Sequence, residues 1–226
     1  MSLEYIKKLK LVVDETIEVG LDRAASIFWK HLGEGTELPV HKHSYGVLSA
    51  PVLTDEEAQY FKSVALLTKE QFQPNEDEEA AYQIPELILS GRPLIVANQI
   101  LQERLLPIFH VFFGVSPAKI VSAQLAWYTP DGVQGTCWHT DEDSDMTCVI
   151  SLDPSMFTGG GTAIRPYGPC DVDVVVPPVP KGHGLFFNGK YMFHKGLPVL
   201  TGDRILLVYW LSTEDESITG SAATPS

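Results

Sequence analysis

Two periodicities divide the chain. Over residues 4–31 the apolar positions Ile6, Leu9, Val12, Val13, Ile17, Val19, Ala24, Ala25 and Phe28 recur at roughly helical spacing. A break is expected near Gly20, and Gly33 and Gly35 end the run. Residues 36–53, punctuated by Pro39 and Pro51, read as irregular or partly extended. Thr54 is a good N-cap, and Glu57 three positions on completes a capping box, so a helix is expected from there to about Thr68. Another helical stretch is expected from about Arg92 to Phe113. Beyond Pro117 the pattern changes to short β-rich runs at 119–128, 146–152, 162–165, 171–176, 184–188, 192–194 and 203–211, separated by Gly, Pro and Asp. Short strands divided by turn signals point to a sandwich or barrel, here with helices ahead of it.

Composition narrows the class. The 226 residues suit one domain with a sizeable core. Sixteen basic against 29 acidic residues leave a net charge of −13, which disfavours a nucleic-acid partner. Cys137, Cys148 and Cys170 cannot all pair with one another and show no C-x-x-C spacing, so reduced thiols in an intracellular protein are expected. The N-terminus lacks an apolar run suited to a signal peptide, and no segment has the length needed to span a bilayer. A soluble, cytoplasmic protein is the expectation. The acidic segment 73–84 (QPNEDEEAAYQI) reads as an exposed loop or lid. Its run Glu76-Asp77-Glu78-Glu79 is first a solvated face, and second a lid that would attract a cationic substrate. The tail after Ser212 has little apolar content and is expected to be disordered.

The chemistry concentrates in four residues. His139 and Asp141 are two apart, which on a strand puts both side chains on one face. His194 follows far downstream, and Arg204 comes after nine intervening residues. Two imidazoles and a carboxylate form the ligand set of non-haem Fe(II) sites with open coordination positions. Zinc is a rival for the same ligands, although Arg204 has no clear role in a zinc hydrolase. A charge in the apolar run DRILLVYWL is costly unless paired, so Arg204 is either a carboxylate clamp or half of a structural ion pair, with Asp203 as one candidate partner. Trp138, immediately before the first candidate ligand, is expected to face the other way, into the core. His41-Lys42-His43 has ligand-like spacing without an evident carboxylate and reads as surface histidines, and His183 reads as loop.

The stretch YTPDGVQGTCWHTD (128–141) is followed by TCVISLDP, GGGTAIRP, PKGHGLFFNG and HKGLPVLTGDRILLVYW. In order and spacing these segments resemble the prolyl 4-hydroxylase-like branch of the Fe(II)/2-oxoglutarate dioxygenases, across about residues 118–212. A weaker echo, VLTDEE at 52–57, is similar to the start of that family's catalytic domain. Many prolyl 4-hydroxylases carry Lys where Arg204 stands, and some relatives carry a cosubstrate-binding Tyr where Ser151 stands.

The resemblance implies an α+β fold, a double-stranded β-helix (jelly roll, cupin-like) braced by N-terminal helices. Residues 1–47 would be a helical extension packed on the core, 48–213 the dioxygenase domain and 214–226 the tail. It implies His139, Asp141 and His194 as the Fe(II) ligands. Arg204 would clamp the far carboxylate of 2-oxoglutarate, with Tyr128 and Thr162 beside the cosubstrate. Core packing for Tyr128, and a tight hairpin turn at Gly159–Gly161, are the alternatives. O₂ and 2-oxoglutarate would be consumed and succinate and CO₂ released, with ascorbate a candidate reductant. The substrate would be a prolyl or other amino-acid-like group on a peptide or protein. A small metabolite is the second choice, and a non-catalytic jelly-roll binding or sensor protein the third.

Overall fold

The computed structural model describes residues 3–19, 23–33, 37–76, 79–115, 119–166 and 172–213. Helices α1 (Glu4–Val19) and α2 (Ala24–Leu32) open the chain. Tyr5, Ile6, Leu9, Val12 and Thr16 are the buried residues of α1 and lie along one face, as a 3.6-residue period requires. Tyr5, Ile6, Leu9 and Val12 join the same core cluster as Phe61, Phe109 and Phe186. Glu15 of α1 ties α2 down through Lys30 (2.8 Å) and His31 (2.6 Å).

The chain then forms a hairpin, β1 (His41–Ser44) and β2 (Val47–Pro51), in the segment expected to be irregular or partly extended. The five residues of β2 are all buried, because it pairs with a strand more than 130 positions downstream. Helix α3 (Asp55–Leu67) starts on the expected capping box: Thr54 Oγ1 accepts from Glu57 N (3.2 Å), and Thr54 N donates to Glu57 Oε2 (2.8 Å). β3 (Gln73–Pro74) and β4 (Pro85–Ile88) follow. The long helical stretch is built in three pieces, α4 (Gly91–Ile100), a π turn (Leu101–Leu105) and α5 (Leu106–Phe113). That turn carries Arg104, whose guanidinium donates to Val52 O (2.9 Å) and forks onto Glu57.

Burial alone would raise the Glu57 carboxyl, but Arg104 and Thr54 outweigh it and hold it below the ordinary carboxylate range. A depressed carboxylate stabilises the fold above its unfolded pKa of about 4.3, and the contribution is lost as pH falls through the folded value. Glu57→Gln should therefore cost roughly 1–2 kcal/mol at pH 7, where cap and ion pair both weaken. The gap between wild type and variant should close below about pH 4. Urea unfolding at a series of pH values checks this, and a pH-independent gap would mean the Glu57 charge contributes nothing.

The strands are β5 (Lys119–Tyr128), β6 (Met146–Ser151), β7 (Phe157–Gly159), β8 (Thr162–Ile164), β9 (Val174–Val176), β10 (His183–Phe187), β11 (His194–Gly196), β12 (Val199–Gly202) and β13 (Arg204–Ser212). An eight-stranded antiparallel sheet has the order β1-β2-β10-β6-β13-β5-β4-β3. It faces a three-stranded sheet, β11-β8-β9, and a pair, β12-β7. Alternation along β13 sorts the two faces of the large sheet. Ile205, Leu207, Tyr209 and Leu211 pack in the cluster shared with the helices, where Tyr209 Oη donates to Ala97 O (3.1 Å). Arg204, Leu206, Val208 and Trp210 line the space between the sheets. This is the jelly roll expected from the sequence. No helix among the described residues is long and apolar enough to cross a membrane. Asp77, Glu78, Cys170 and the tail from 214 lie outside the described residues.

Candidate active site

The first two candidate ligands do not sit on a regular strand. His139 makes a single antiparallel β-bridge with His194, with backbone N–O distances of 3.0 and 2.9 Å, and Asp141 N donates to Gly189 O (3.0 Å). Those contacts bring His139, Asp141 and His194 together, with one donor atom from each lying within 4.8 Å of the others. Asp141 Oδ1 is 3.5 Å from His194 Nε2 and 3.9 Å from His139 Nε2. A single ion about 2.1 Å from each donor accommodates separations up to about 4.2 Å, which both Asp141 distances meet. Among the described residues no other trio of His, Cys, Asp or Glu is so arranged.

The residues behind these donors orient them. Nδ1 of His139 lies 3.0 Å from Cys137 O, and Nδ1 of His194 lies 2.9 Å from Met192 O. A carbonyl only accepts, so each Nδ1 carries the hydrogen and each Nε2 keeps its lone pair for a cation. Burial pushes the Asp141 carboxyl up, but His194, Thr147 and Trp210 overcome it and hold it below its ordinary value, ionised. Thr147 Oγ1 donates to Oδ2, which leaves Oδ1 facing both imidazoles.

Gly189 completes this arrangement. A Cβ there would collide with the Asp141 carboxylate and with Thr147 Oγ1. Gly189→Ala should displace the carboxylate and weaken Mn(II) or Co(II) binding by about 10–100-fold. The overpacking should cost roughly 1–3 kcal/mol of stability. Metal titration calorimetry beside a thermal melt checks both, and unchanged metal affinity would show that Asp141 is not held in this way.

A cavity of about 990 Å³ opens from the three donors across the inner face of the large sheet. Thr162, Tyr128 and Arg204 line it, together with the three donors. Arg204 is 4% exposed, and its Nε and Nη1 have no hydrogen-bond partner. Arg204 forms no ion pair with Asp203 or with any other described residue. Register explains its nearest neighbour: Arg204 stands opposite Tyr128, and the guanidinium lies 5.1 Å over that ring. Burial lowers the guanidinium pKa, but an arginine remains a cation.

The glycines 159–161 do not close a hairpin. β7 pairs with β12 and β8 with β11, so the turn carries the chain from one sheet to another. All three glycines adopt positive φ, and a Cβ on Gly160 would stand 3.2 Å from Arg204 Cδ. Trp138 does not enter the core either. It is half-buried, with two cations, Arg165 (4.9 Å) and Lys195 (4.8 Å), over its ring. His183 opens β10 instead of lying in a loop. His41 and His43 sit on β1, where His43 pairs with Ser49 (2.9 Å) and neither joins the metal-ligand group. Cys148 is buried and Cys137 half-buried. Of the acidic run, Glu76 is exposed and borders the cavity, and Glu79 is exposed. Sequence reading passed over Thr147, Gly189 and Trp210, whose contacts with Asp141 depend on pairings between distant strands.

No family model matches the sequence, and no curated protein matches it. Solved structures do. A prolyl hydroxylase from Trichoplax adhaerens, in complex with a hypoxia-inducible-factor peptide, superposes with a TM-score of 0.62 at 12% identity, covering 96% of this chain and 94% of that one. A prolyl-4-hydroxylase from Pseudomonas putida gives 0.58 at 15% identity, covering 76% and 95%. A non-haem α-ketoglutarate-dependent carbocyclase of nogalamycin biosynthesis gives 0.57 at 18%, covering 80% and 87%. In fold, this chain is a jelly roll similar to those of solved 2-oxoglutarate/Fe(II) oxygenases, prolyl hydroxylases among them.

Proposed function

We propose that the protein is an Fe(II)- and 2-oxoglutarate-dependent dioxygenase that hydroxylates an unactivated C–H bond, with release of succinate and CO₂. The observation that carries this reading is the buried, unpaired Arg204 guanidinium opening onto the same cavity as the His139–Asp141–His194 cluster. A mononuclear zinc hydrolase uses the three donors but gives no work to that cation. Burying a charge without a partner is strongly unfavourable, and an anionic cosubstrate supplies the partner. Fe(II) with 2-oxoglutarate and O₂ supplies the oxidising power when bound. His139, Asp141 and His194 would hold the metal through two Nε2 atoms and one carboxylate oxygen. Arg204 would hold the distal carboxylate, with Tyr128 beneath it and Thr162 in the same wall. Ascorbate would serve as reductant.

For substrate we favour a prolyl or other amino-acid-like group, in line with the peptide held by the Trichoplax hydroxylase. The cavity wall supports a neutral or cationic partner. Glu76, Glu86, Glu142 and Asp143 border it, and among the described residues Arg204 is its one basic side chain apart from the histidines. A phosphate backbone would be repelled there. The carbocyclase with the same fold keeps a small metabolite as the second reading. Succinate release in the presence of Fe(II), 2-oxoglutarate and O₂ tests both. Prolyl peptides flanked by Lys should stimulate turnover more than those flanked by Glu. Stimulation by metabolites alone would move the substrate to the second reading, and no succinate under any condition would overturn the enzymatic one.

A further inference from the structure

The inner face of the large sheet is laid out in rows, because register sets which residues stand side by side on neighbouring strands. Thr147 on β6 and Trp210 on β13 share one row, and both hold the Asp141 carboxylate. The next row towards Arg204 is Val149, Val208, Gln124 and Ile88, running from β6 across β13 and β5 to β4. All four line the cavity. Three are apolar, and Gln124 is the exception. It is 5% exposed, whereas Ile88 at the open end of the row is 70% exposed. Among the described residues, the one hydrogen bond of the Gln124 side chain is accepted at Oε1 from Ser122 Oγ at 3.5 Å, longer than such bonds ordinarily are. Ser122 lies two residues away on the same strand, so the contact ties no two elements together. Nε2 has no partner among the described residues. A primary amide set in an apolar row is costly to bury unless its donors and acceptor are used. The fold leaves them unused, so the amide points to a ligand that enters the cavity.

We propose that Gln124 selects the substrate: its side-chain amide pairs with a peptide amide next to the C–H bond that is oxidised. The inference rests on the dioxygenase reading above and narrows its substrate to one that carries an amide. A carboxamide is complementary to a peptide group, since Oε1 accepts from the N–H and Nε2 donates to the carbonyl. The position suits this role. In that reading Arg204 and the metal donors mark the two ends of the cosubstrate site along β13. Gln124 stands one strand aside, level with Val208 and about 4.8 Å from β13 in the sheet. A chain that enters over Ile88 reaches Gln124 first. For a prolyl target the neighbouring N–H is that of the following residue, because proline has none. A site with a buried polar group also rejects ligands that leave it unpaired, so a metabolite without an amide is disfavoured.

Anaerobic calorimetry on protein loaded with Mn(II) and 2-oxoglutarate reads substrate binding without turnover. One probe is the acetylated, amidated peptide Lys-Pro-Gly-Lys. The other carries glycolic acid in place of glycine, which replaces the N–H after proline with an ester oxygen. Wild type should bind the ester about tenfold more weakly, the loss of one neutral hydrogen bond. Gln124→Met keeps the length of the side chain and removes both polar groups. It should bind the amide peptide about tenfold more weakly than wild type and no longer distinguish amide from ester. It should also melt at or above the wild-type temperature and bind 2-oxoglutarate as wild type does. An amide preference that survives in Gln124→Met overturns the proposal. So does a wild type that binds both peptides equally, or that binds neither while still binding 2-oxoglutarate. A melt of Gln124→Met well below wild type would make Gln124 structural and sink the proposal by another route. A wild-type protein that binds no 2-oxoglutarate fails the dioxygenase reading itself, and the substrate assignment goes with it.

Discussion

Replacing His139, Asp141 or His194 with alanine, one at a time, is expected to abolish succinate release and to weaken metal binding beyond the roughly 10–100-fold that outer contacts contribute. Each residue is one donor of three, and no other His, Cys, Asp or Glu trio is available among the described residues to replace it. The variants should differ in a second readout. His139 and His194 each donate from Nδ1 to a backbone carbonyl, so their loss leaves Cys137 O or Met192 O without that contact. Asp141→Ala removes a buried carboxylate that faces two imidazoles and is satisfied on its other oxygen by Thr147. Metal titration by calorimetry, activity by succinate release and a melt of the metal-free protein separate these effects. Metal affinity and turnover at wild-type level in any one variant would remove that residue from the site.

Local signals were legible in the sequence. The Thr54–Glu57 box lies within four residues, and its helix begins where the spacing places it. The long run of β13 shows its apolar character directly, since both of its faces are covered. The hairpin of β1 and β2 carried no such signal. HKHS has no strand pattern of its own, and β2 is buried on both faces because β10 and the helices enclose it. The π turn at Leu101–Leu105 was hidden within a continuous helical period, although it is what aims Arg104 at Glu57. At the site, His139, Asp141, His194 and Arg204 could be picked out because chemistry restricts residue type and spacing. Thr147 and Gly189 could not, because a threonine and a glycine acquire meaning only from the pairings that place them against Asp141. Trp138 shows the same limit from the other side. Alternation placed it opposite the ligands, but only the pairing of β8 with β11 reveals Arg165 and Lys195 waiting on that face.

Arg204→Ala is expected to leave the protein folded and to raise the 2-oxoglutarate concentration needed for half-saturation by roughly 30- to 4000-fold, the range for truncating a buried, hydrogen-bonded charge pair at about 2–5 kcal/mol. A structural arginine would behave otherwise, because removing one half of a buried ion pair strands the other half and destabilises the fold. Here no acidic partner is stranded. The guanidinium is buried with Nε and Nη1 unsatisfied, its contact is the Tyr128 ring, and Gly160 passes close to its Cδ without a Cβ to push it aside. In the ligand-free protein the charge is therefore a net cost, and Arg204→Met, which preserves the stem without the charge, should melt at or above the wild-type temperature. Arg204→Lys should recover part of the affinity, since it keeps the charge and loses the planar fork. Binding by anaerobic calorimetry, set beside thermal melts of the ligand-free variants, gives the two numbers that decide. Lost affinity with stability retained assigns Arg204 to the cosubstrate. Lost stability with affinity retained in the folded fraction would make it a structural residue and remove the observation on which the dioxygenase reading stands.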